Sequence, residues 1–326
     1  MVVPVNNFWT TLHKPFFCIA PLADVTDPAF RRIIAKYGKP DVVWTEFVSA
    51  DGLFKGGYDV LIKDLTYTES ERPIIAQFFS KDPDIMKQAG KLAAEMGFDG
   101  VDINMGCPDT NVCKQGAGAA IIKNPELAKA LIRATKEGVH EAGSTIPVSV
   151  KTRSGFNEDE IETWIPALLE EKPAALTLHA RTKKDMSKVP ARWELIARAV
   201  LLRNKISPDT LIIGNGDVLN MDDAHAKVKA SGCDGIMFGR AIFGNPWLLS
   251  GKLRPDFHER LRVLLEHTNL FAELLPHKSF SIMKKHFKSY LHGDGYQKPL
   301  LLELMEVKTA IEAREVLIRE TNKTLS

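Results

Sequence analysis

Apolar and polar positions along this chain follow two rhythms. Between residues 16 and about 249, short runs rich in β-branched and aromatic residues are separated by longer stretches whose apolar residues recur every three or four positions. The short runs lie at 16–21, 41–45, 74–79, 100–104, 148–151, 174–179, 211–214 and 235–238, and they predict eight strands. Each is almost continuously apolar, as expected for a parallel sheet buried on both faces. The longer stretches at 28–37, 82–96, 125–141 and 159–171 predict helices; in the second, Ile85, Ala89, Leu92, Ala93 and Met96 share one face. Asp27-Pro28, Asp82-Pro83 and Asn124-Pro125 each set an N-capping side chain before a proline suited to the first helical turn.

Eight strand–helix units in this span match the count and length of a closed (β/α)8 TIM barrel. An open doubly wound sheet is the alternative, but no GxGxxG follows the first strand. Segment 49–72 is long for a strand-to-helix connection and predicts a lid or a small hairpin. After Trp247 the strand signals stop. Helical patterns at 259–275, 279–291 and 299–320, with a break at Gly293-Asp294-Gly295, predict a C-terminal all-α helical domain. The expected division is 1–250 for the barrel and 251–326 for the helices.

Composition narrows the class. With 326 residues, 44% hydrophobic and 26% charged, the chain is not disordered, collagen-like or a coiled coil. A net charge of +2 does not by itself call for a nucleic-acid partner. Locally, however, His277, Lys278, Lys284, Lys285, His286, Lys288 and His292 form a basic stripe with no acid until Asp294. Such stripes meet phosphates, and a solvated helix face is an equally fair reading. Cys18, Cys107, Cys113 and Cys233 contain no CxxC pair, so reduced thiols in a cytoplasmic protein are expected. The N-terminus lacks the pattern of a signal peptide, and no apolar run is long enough to span a bilayer.

Barrel enzymes place their chemistry where strands end. Here the predicted strand ends are polar or glycine-rich: Pro21-Leu22-Ala23, Gln77 within the third strand, Asn104 through Pro108, Lys151-Thr152-Arg153, His179-Ala180-Arg181, Asn215-Gly216-Asp217 and Gly239-Arg240. Polar groups buried unpaired in such strands would cost several kcal/mol, so the pattern points to a ligand held at one mouth. Any one glycine alone reads first as a tight turn, but in a barrel the last two ends together suit a phosphate. Lys151 reads as a surface lysine at a strand end or as a central cation that stabilises an anion such as a reduced flavin. Asn104 and Gln77 carry both donors and acceptors for a ring edge. Cys107 reads as an inert buried thiol or, mostly protonated at neutral pH, as a proton donor; Cys113 is its rival.

Taken in order, these segments resemble the dihydrouridine synthase family, flavin enzymes that reduce uridine in tRNA. The resemblance rests on Ala20 through Arg31, Asp102-Ile103-Asn104-Met105-Gly106-Cys107-Pro108, Gly116 through Ala120, Val150 through Arg153, Leu178 through Thr182, Ile213 through Asp217 and Gly235 through Ala241, with the run from Met283 to Gly293 beyond them. It implies FMN held by Pro21, Leu22, Ala23, Gln77, Lys151, His179, Asn215, Gly216, Asp217, Gly239 and Arg240. It implies Cys107 as the acid, Asn104, Arg153 and Arg181 facing the target base or its phosphates, and Lys284 and Lys285 on tRNA. NADPH would be the reductant, and no metal is implied. The chain departs from the family pattern at Ala23-Asp24, where many members have Glu-Gly, and at Asn111, where lysine is common. Competing readings are a dihydroorotate dehydrogenase-like flavoenzyme acting on a free pyrimidine and a non-catalytic tRNA-binding barrel. A metal-dependent hydrolase is weaker, because the first strand lacks a His-x-His pair.

Overall fold

A computed structural model describes residues 7–323 apart from Lys252, Asp294 and Tyr296. Asp294 of the predicted break therefore lies outside the described residues, as do the two ends of the predicted domain spans. Eight parallel strands are described: β1 (Phe16–Ile19), β2 (Val43–Ser49), β3 (Ile74–Phe79), β4 (Gly100–Met105), β5 (Val148–Arg153), β6 (Ala175–His179), β7 (Leu211–Asn215) and β8 (Gly235–Phe238). The sheet runs β1-β8-β7-β6-β5-β4-β3-β2. It closes on itself through a parallel bridge between Cys18 and Val42, supported by Asp41 N–H donating to Phe17 O at 2.9 Å. The chain is a (β/α)8 barrel.

The predicted caps form as the sequence indicates. Asp27, Asp82 and Asn124 each accept a hydrogen bond from the first turn of the helix they precede: α1 (Pro28–Tyr37), α2 (Pro83–Glu95) and α3 (Pro125–Glu141). Three more helices cover the later strands: α4 (Ile161–Leu169), α5 (Trp193–Ile206) and α6 (Met221–Ser231).

Because strand side chains alternate between faces, one set packs under the helices and the other fills the barrel. The inward set is apolar at the bottom, where Trp9, Phe16, Cys18, Trp44, Ile75, Ile213 and Met237 form one buried cluster. Trp9 lies with its ring centre 5.6 Å from that of Phe16 and 6.0 Å from that of Trp44, plugging the amino-terminal end. One layer higher the inward residues turn polar. Gln77 lies beside Asp102, Asp102 beside Ser149 and Asn104 beside Lys151 in the strand register.

Segment 49–72 corrects one expectation: it holds no hairpin but a string of short helical turns between Ala50 and Glu71. Its far end is pinned by Arg31 on α1, which ion-pairs with buried Glu71 at 2.8 Å and donates to Thr26 O and Thr66 O. The C-terminal region forms α7 (Phe257–Leu274), α8 (Met283–Leu291), α9 (Lys298–Glu306) and α10 (Ala310–Lys323). The third predicted helix is thus two. Thr309 caps Glu312 N–H at 3.3 Å and Glu312 reaches back to Lys308 N–H at 2.7 Å, so a Thr-x-x-Glu start signal restarts the helix.

The predicted basic stripe does not lie on one face. His286 is fully buried, its ring 5.0 Å from Phe30 on α1 and 4.6 Å from His267 on α7. Lys278 is bound between Glu46 of β2 and Asp64, each at 2.8 Å. Lys284 donates to Met305 O at 2.5 Å, and Lys285, Lys288, His277 and His292 remain exposed.

Candidate active site

The carboxyl ends of the strands surround a cavity of about 720 Å³. Its walls include Ala20, Pro21, Leu22 and Ala23 after β1, Asn104, Gly106 and Cys107 after β4, and Lys151 and Arg153 of β5. His179 and Arg181 come from β6 and its loop, Asn215, Gly216 and Asp217 from β7 and its loop, and Gly239 and Arg240 from the loop after β8. Most of the predicted site residues therefore meet at one mouth. Three do not. Gln77 is wholly buried one layer below, with no place on the wall, and Lys284 and Lys285 lie on α8 outside the cavity.

Cys107 sits on a loop held from several sides. Its N–H donates to Asn104 Oδ1 at 2.8 Å, and its carbonyl accepts Ala119 N–H at 3.0 Å and the Cys113 thiol at 3.6 Å. Cys113 is thereby engaged beneath the loop, away from the cavity wall. Gly118 adopts φ +59° directly under Cys107, where a Cβ would lie 2.8 Å from the Cys107 carbonyl oxygen. Burial pushes the Cys107 thiol above its ordinary value, so it carries its proton at neutral pH.

Lys151 faces the same cavity and forms no hydrogen bond or ion pair with any described residue. Burial, followed by the repulsion of Arg153, lowers it to about 8. It is an unmatched cation at the barrel centre. Arg153 is lowered to about 10 by burial and is anchored by carbonyls: Nε donates to Gly106 O at 2.9 Å, and Nη1 to Thr182 O at 3.0 Å and Met186 O at 3.2 Å. Among the described residues none accepts from its Nη2, whose donors remain for a ligand. His179 is held neutral by burial and then by the surrounding Arg153, Lys151 and Arg181.

Asp217 ties two arginines together. It pairs with Arg181, and its Oδ1 accepts from Arg240 Nη2 at 2.8 Å. Burial works against this carboxyl, yet the Ala191 N–H and Arg181 hold it below the usual range. Arg181 also donates to Val189 O at 2.6 Å, so it is largely spoken for, whereas the Arg240 side chain is 70% exposed. Gly216 takes φ +126° at this corner, and a Cβ on Gly239 would meet nothing within 4 Å. The loop after β8 thus offers open backbone and a guanidinium beside the Gly216 corner, a donor set that suits a phosphate.

Sequence reasoning missed Phe47, Ser187, Val218, Leu219 and Ala241 on the wall. Phe47 belongs to the upper half of β2, which extends to Ser49 past the predicted end; polar Glu46 and Ser49 hid that continuation. Ser187 lies in an irregular loop that carries no local signal.

A parallel-stranded barrel with a cationic mouth and a protonated thiol defines an enzyme of the barrel type, its chemistry at the carboxyl ends of the strands. Residues 18–325 match the family model described as dihydrouridine synthase (Dus), and the chain belongs to that family of oxidoreductases. A probable tRNA-dihydrouridine synthase of Staphylococcus epidermidis is 38% identical over 317 residues, covering 96% of this chain and 95% of that protein. The probable tRNA-dihydrouridine synthase 2 of Bacillus subtilis (strain 168) is likewise 38% identical over 317 residues, covering 96% of each. Among solved structures, a morphinone reductase variant in complex with tetrahydroNAD aligns with a TM-score of 0.50 at 15% identity, covering 74% of this chain and 87% of that one. Histamine dehydrogenase from Rhizobium sp. 4-9 aligns with a TM-score of 0.51 at 13% identity, covering 78% of this chain and 48% of that one. These two likenesses show the barrel fold. Family membership sets aside the dihydroorotate dehydrogenase-like and non-catalytic readings. Among the described residues no helix is long and apolar enough to cross a membrane.

Proposed function

We propose that this chain is a cytoplasmic tRNA-dihydrouridine synthase that uses FMN and NADPH to reduce the C5–C6 double bond of uridines in tRNA. The residues present fit FMN. An unmatched Lys151 cation suits an anionic ring edge, Ala20 to Ala23 give an apolar wall, and Gly216, Gly239 and Arg240 suit a phosphate. Gln77 acts from below through Asn104 rather than from the wall. Hydride transfer, taken from NADPH and passed to uracil C6, is the chemistry that FMN supplies when bound.

The chain's own residues do the rest. Cys107 keeps its proton at neutral pH and gives it to C5. Lys151 offsets negative charge at the barrel centre. Asn104 has one amide N–H left after its bond to Gln77, and Arg153 has its Nη2 group; both steady the target base. That base leaves the RNA stack to reach the mouth, at a cost of a few kcal/mol. Phosphate contacts from the C-terminal helical domain, beginning near residue 251, offset that cost and make binding salt-dependent. Lys285 and Lys288 are its exposed lysines on α8; Lys284 contributes less, because its ammonium is held by Met305 O.

The observation that carries this reading is the meeting of the protonated Cys107 thiol and the unmatched Lys151 ammonium at one cavity, in a chain of this family. Its test is Cys107→Ala. This variant keeps a flavin absorption band and is reduced by NADPH at the wild-type rate, while dihydrouridine formation in tRNA falls by roughly 100-fold or more. Full turnover by the variant would remove Cys107 from the role of acid. A wild-type protein unable to take up flavin would overturn the whole reading.

A further inference from the structure

Below the thiol loop lies a buried polar chain that begins at Asp102, a residue without a role in the chemistry above. Asp102 is completely buried on β4. Its Oδ1 accepts from Ser149 Oγ at 2.5 Å and its Oδ2 from Gln77 Nε2 at 2.5 Å. Gln77 Oε1 in turn accepts from Asn104 Nδ2 at 3.0 Å. Asn104 Oδ1 then accepts the N–H groups of Gly106 at 3.1 Å and Cys107 at 2.8 Å.

Such a chain has a direction. A side-chain amide donates from one end and accepts at the other, and an ionised carboxylate only accepts. Burial raises Asp102 to about 6, which leaves it ionised at neutral pH. The carboxylate therefore draws the NH2 end of Gln77 toward itself. Gln77 then presents its oxygen to Asn104, and Asn104 presents its oxygen to the two backbone N–H groups of the thiol loop. Reversing any member would set donor against donor in a buried site, where each unsatisfied group costs about 1–3 kcal/mol.

We propose that Asp102 is a positioning residue for the thiol loop: acting through Gln77, it sets the orientation of the Asn104 amide and so fixes Cys107 against the cavity. The consequence for proton donation rests on the proposed function; the placement of the loop does not.

The test uses full-length flavin-loaded protein and reads iodoacetamide alkylation at Cys107 by peptide mass spectrometry. Flavin absorption and thermal stability are recorded alongside. Asp102→Asn keeps the shape but lets Gln77 turn either way. Its alkylation rate at Cys107 rises about tenfold, matching about 1.4 kcal/mol of lost restraint. Dihydrouridine formation falls while flavin reduction by NADPH holds. The double variant D102N/Q77E restores the donor–acceptor order with one buried carboxylate, now at position 77, and returns Cys107 to the wild-type rate. Unchanged alkylation in D102N overturns the assignment. So does a double variant as impaired as the single one, in folding or in alkylation. A wild-type protein without flavin would count against the proposed function and leave the alkylation comparison intact.

Discussion

The two ends of the barrel are built from the same strands and do opposite things. At the amino-terminal end, Trp9, Phe16 and Trp44 close the interior with aromatic rings. Nearby, Asp234 pairs with both Lys14 and Arg203. At the carboxyl end, Lys151, Arg153, Arg181 and Arg240 face one cavity, and Asp217 is the acid on its wall. A single strand spans the contrast: on β5, inward Ser149 belongs to the satisfied polar layer, while Lys151, two residues on, has no hydrogen bond or ion pair among the described residues. Stability is concentrated where apolar packing is complete, and ligand affinity where charges are left without an ion pair.

Loss of stability should be greatest at the floor. Trp44→Ala removes one of the two indole rings of the plug and should cost about 3–5 kcal/mol in a denaturant titration. The fraction still folded should keep its flavin band, because no wall of the cavity is touched.

Lys151→Met probes the other end. It should leave the stability of flavin-free protein unchanged or slightly higher, since the cost of burying this charge outweighs the attraction of Asp102. Flavin affinity, measured by fluorescence titration, should fall about 100-fold, near 2.7 kcal/mol for one charge-assisted contact. The pH dependence follows from the same group. Lys151 is charged below about 8 and neutral above, so an anionic ligand must bring a proton with it at higher pH. Affinity should be flat near neutrality and decline above about pH 8, by at most about tenfold per pH unit. A Lys151→Met protein that keeps this alkaline decline would assign it to another group.

The smallest effect lies at the rim. Asp24 holds φ +55° at an exposed position, a left-handed backbone that glycine adopts freely. Asp24→Gly should raise stability by roughly 0.5 kcal/mol, read as a small increase in Tm, with flavin affinity unchanged.

How much of this could be read from the sequence depends on the range of the interaction. Strand runs, caps before proline and polar strand ends are local signals, and they located the barrel and most of the wall. The depth of a residue was not local: Gln77 and Asn104 both looked like ring-edge partners, yet the register places one beneath the other. The basic stripe failed for a related reason. Counting charges in order ignores helical phase, and His286, three residues after buried Met283, lies on the inner face of α8. The partners of Lys278 are more than 200 residues away, and nothing near it in the chain announces them.

That lysine has an evolutionary consequence. Its ammonium comes from the C-terminal region yet neutralises Glu46, whose other oxygen accepts the N–H of Asp24 beside the cavity wall. A barrel deprived of its tail would be left with two carboxylates facing each other and a loosened rim. Exchange of this tail between relatives is therefore constrained: any incoming helical segment must carry a positive charge to the same spot, or arrive together with neutral replacements at positions 46 and 64.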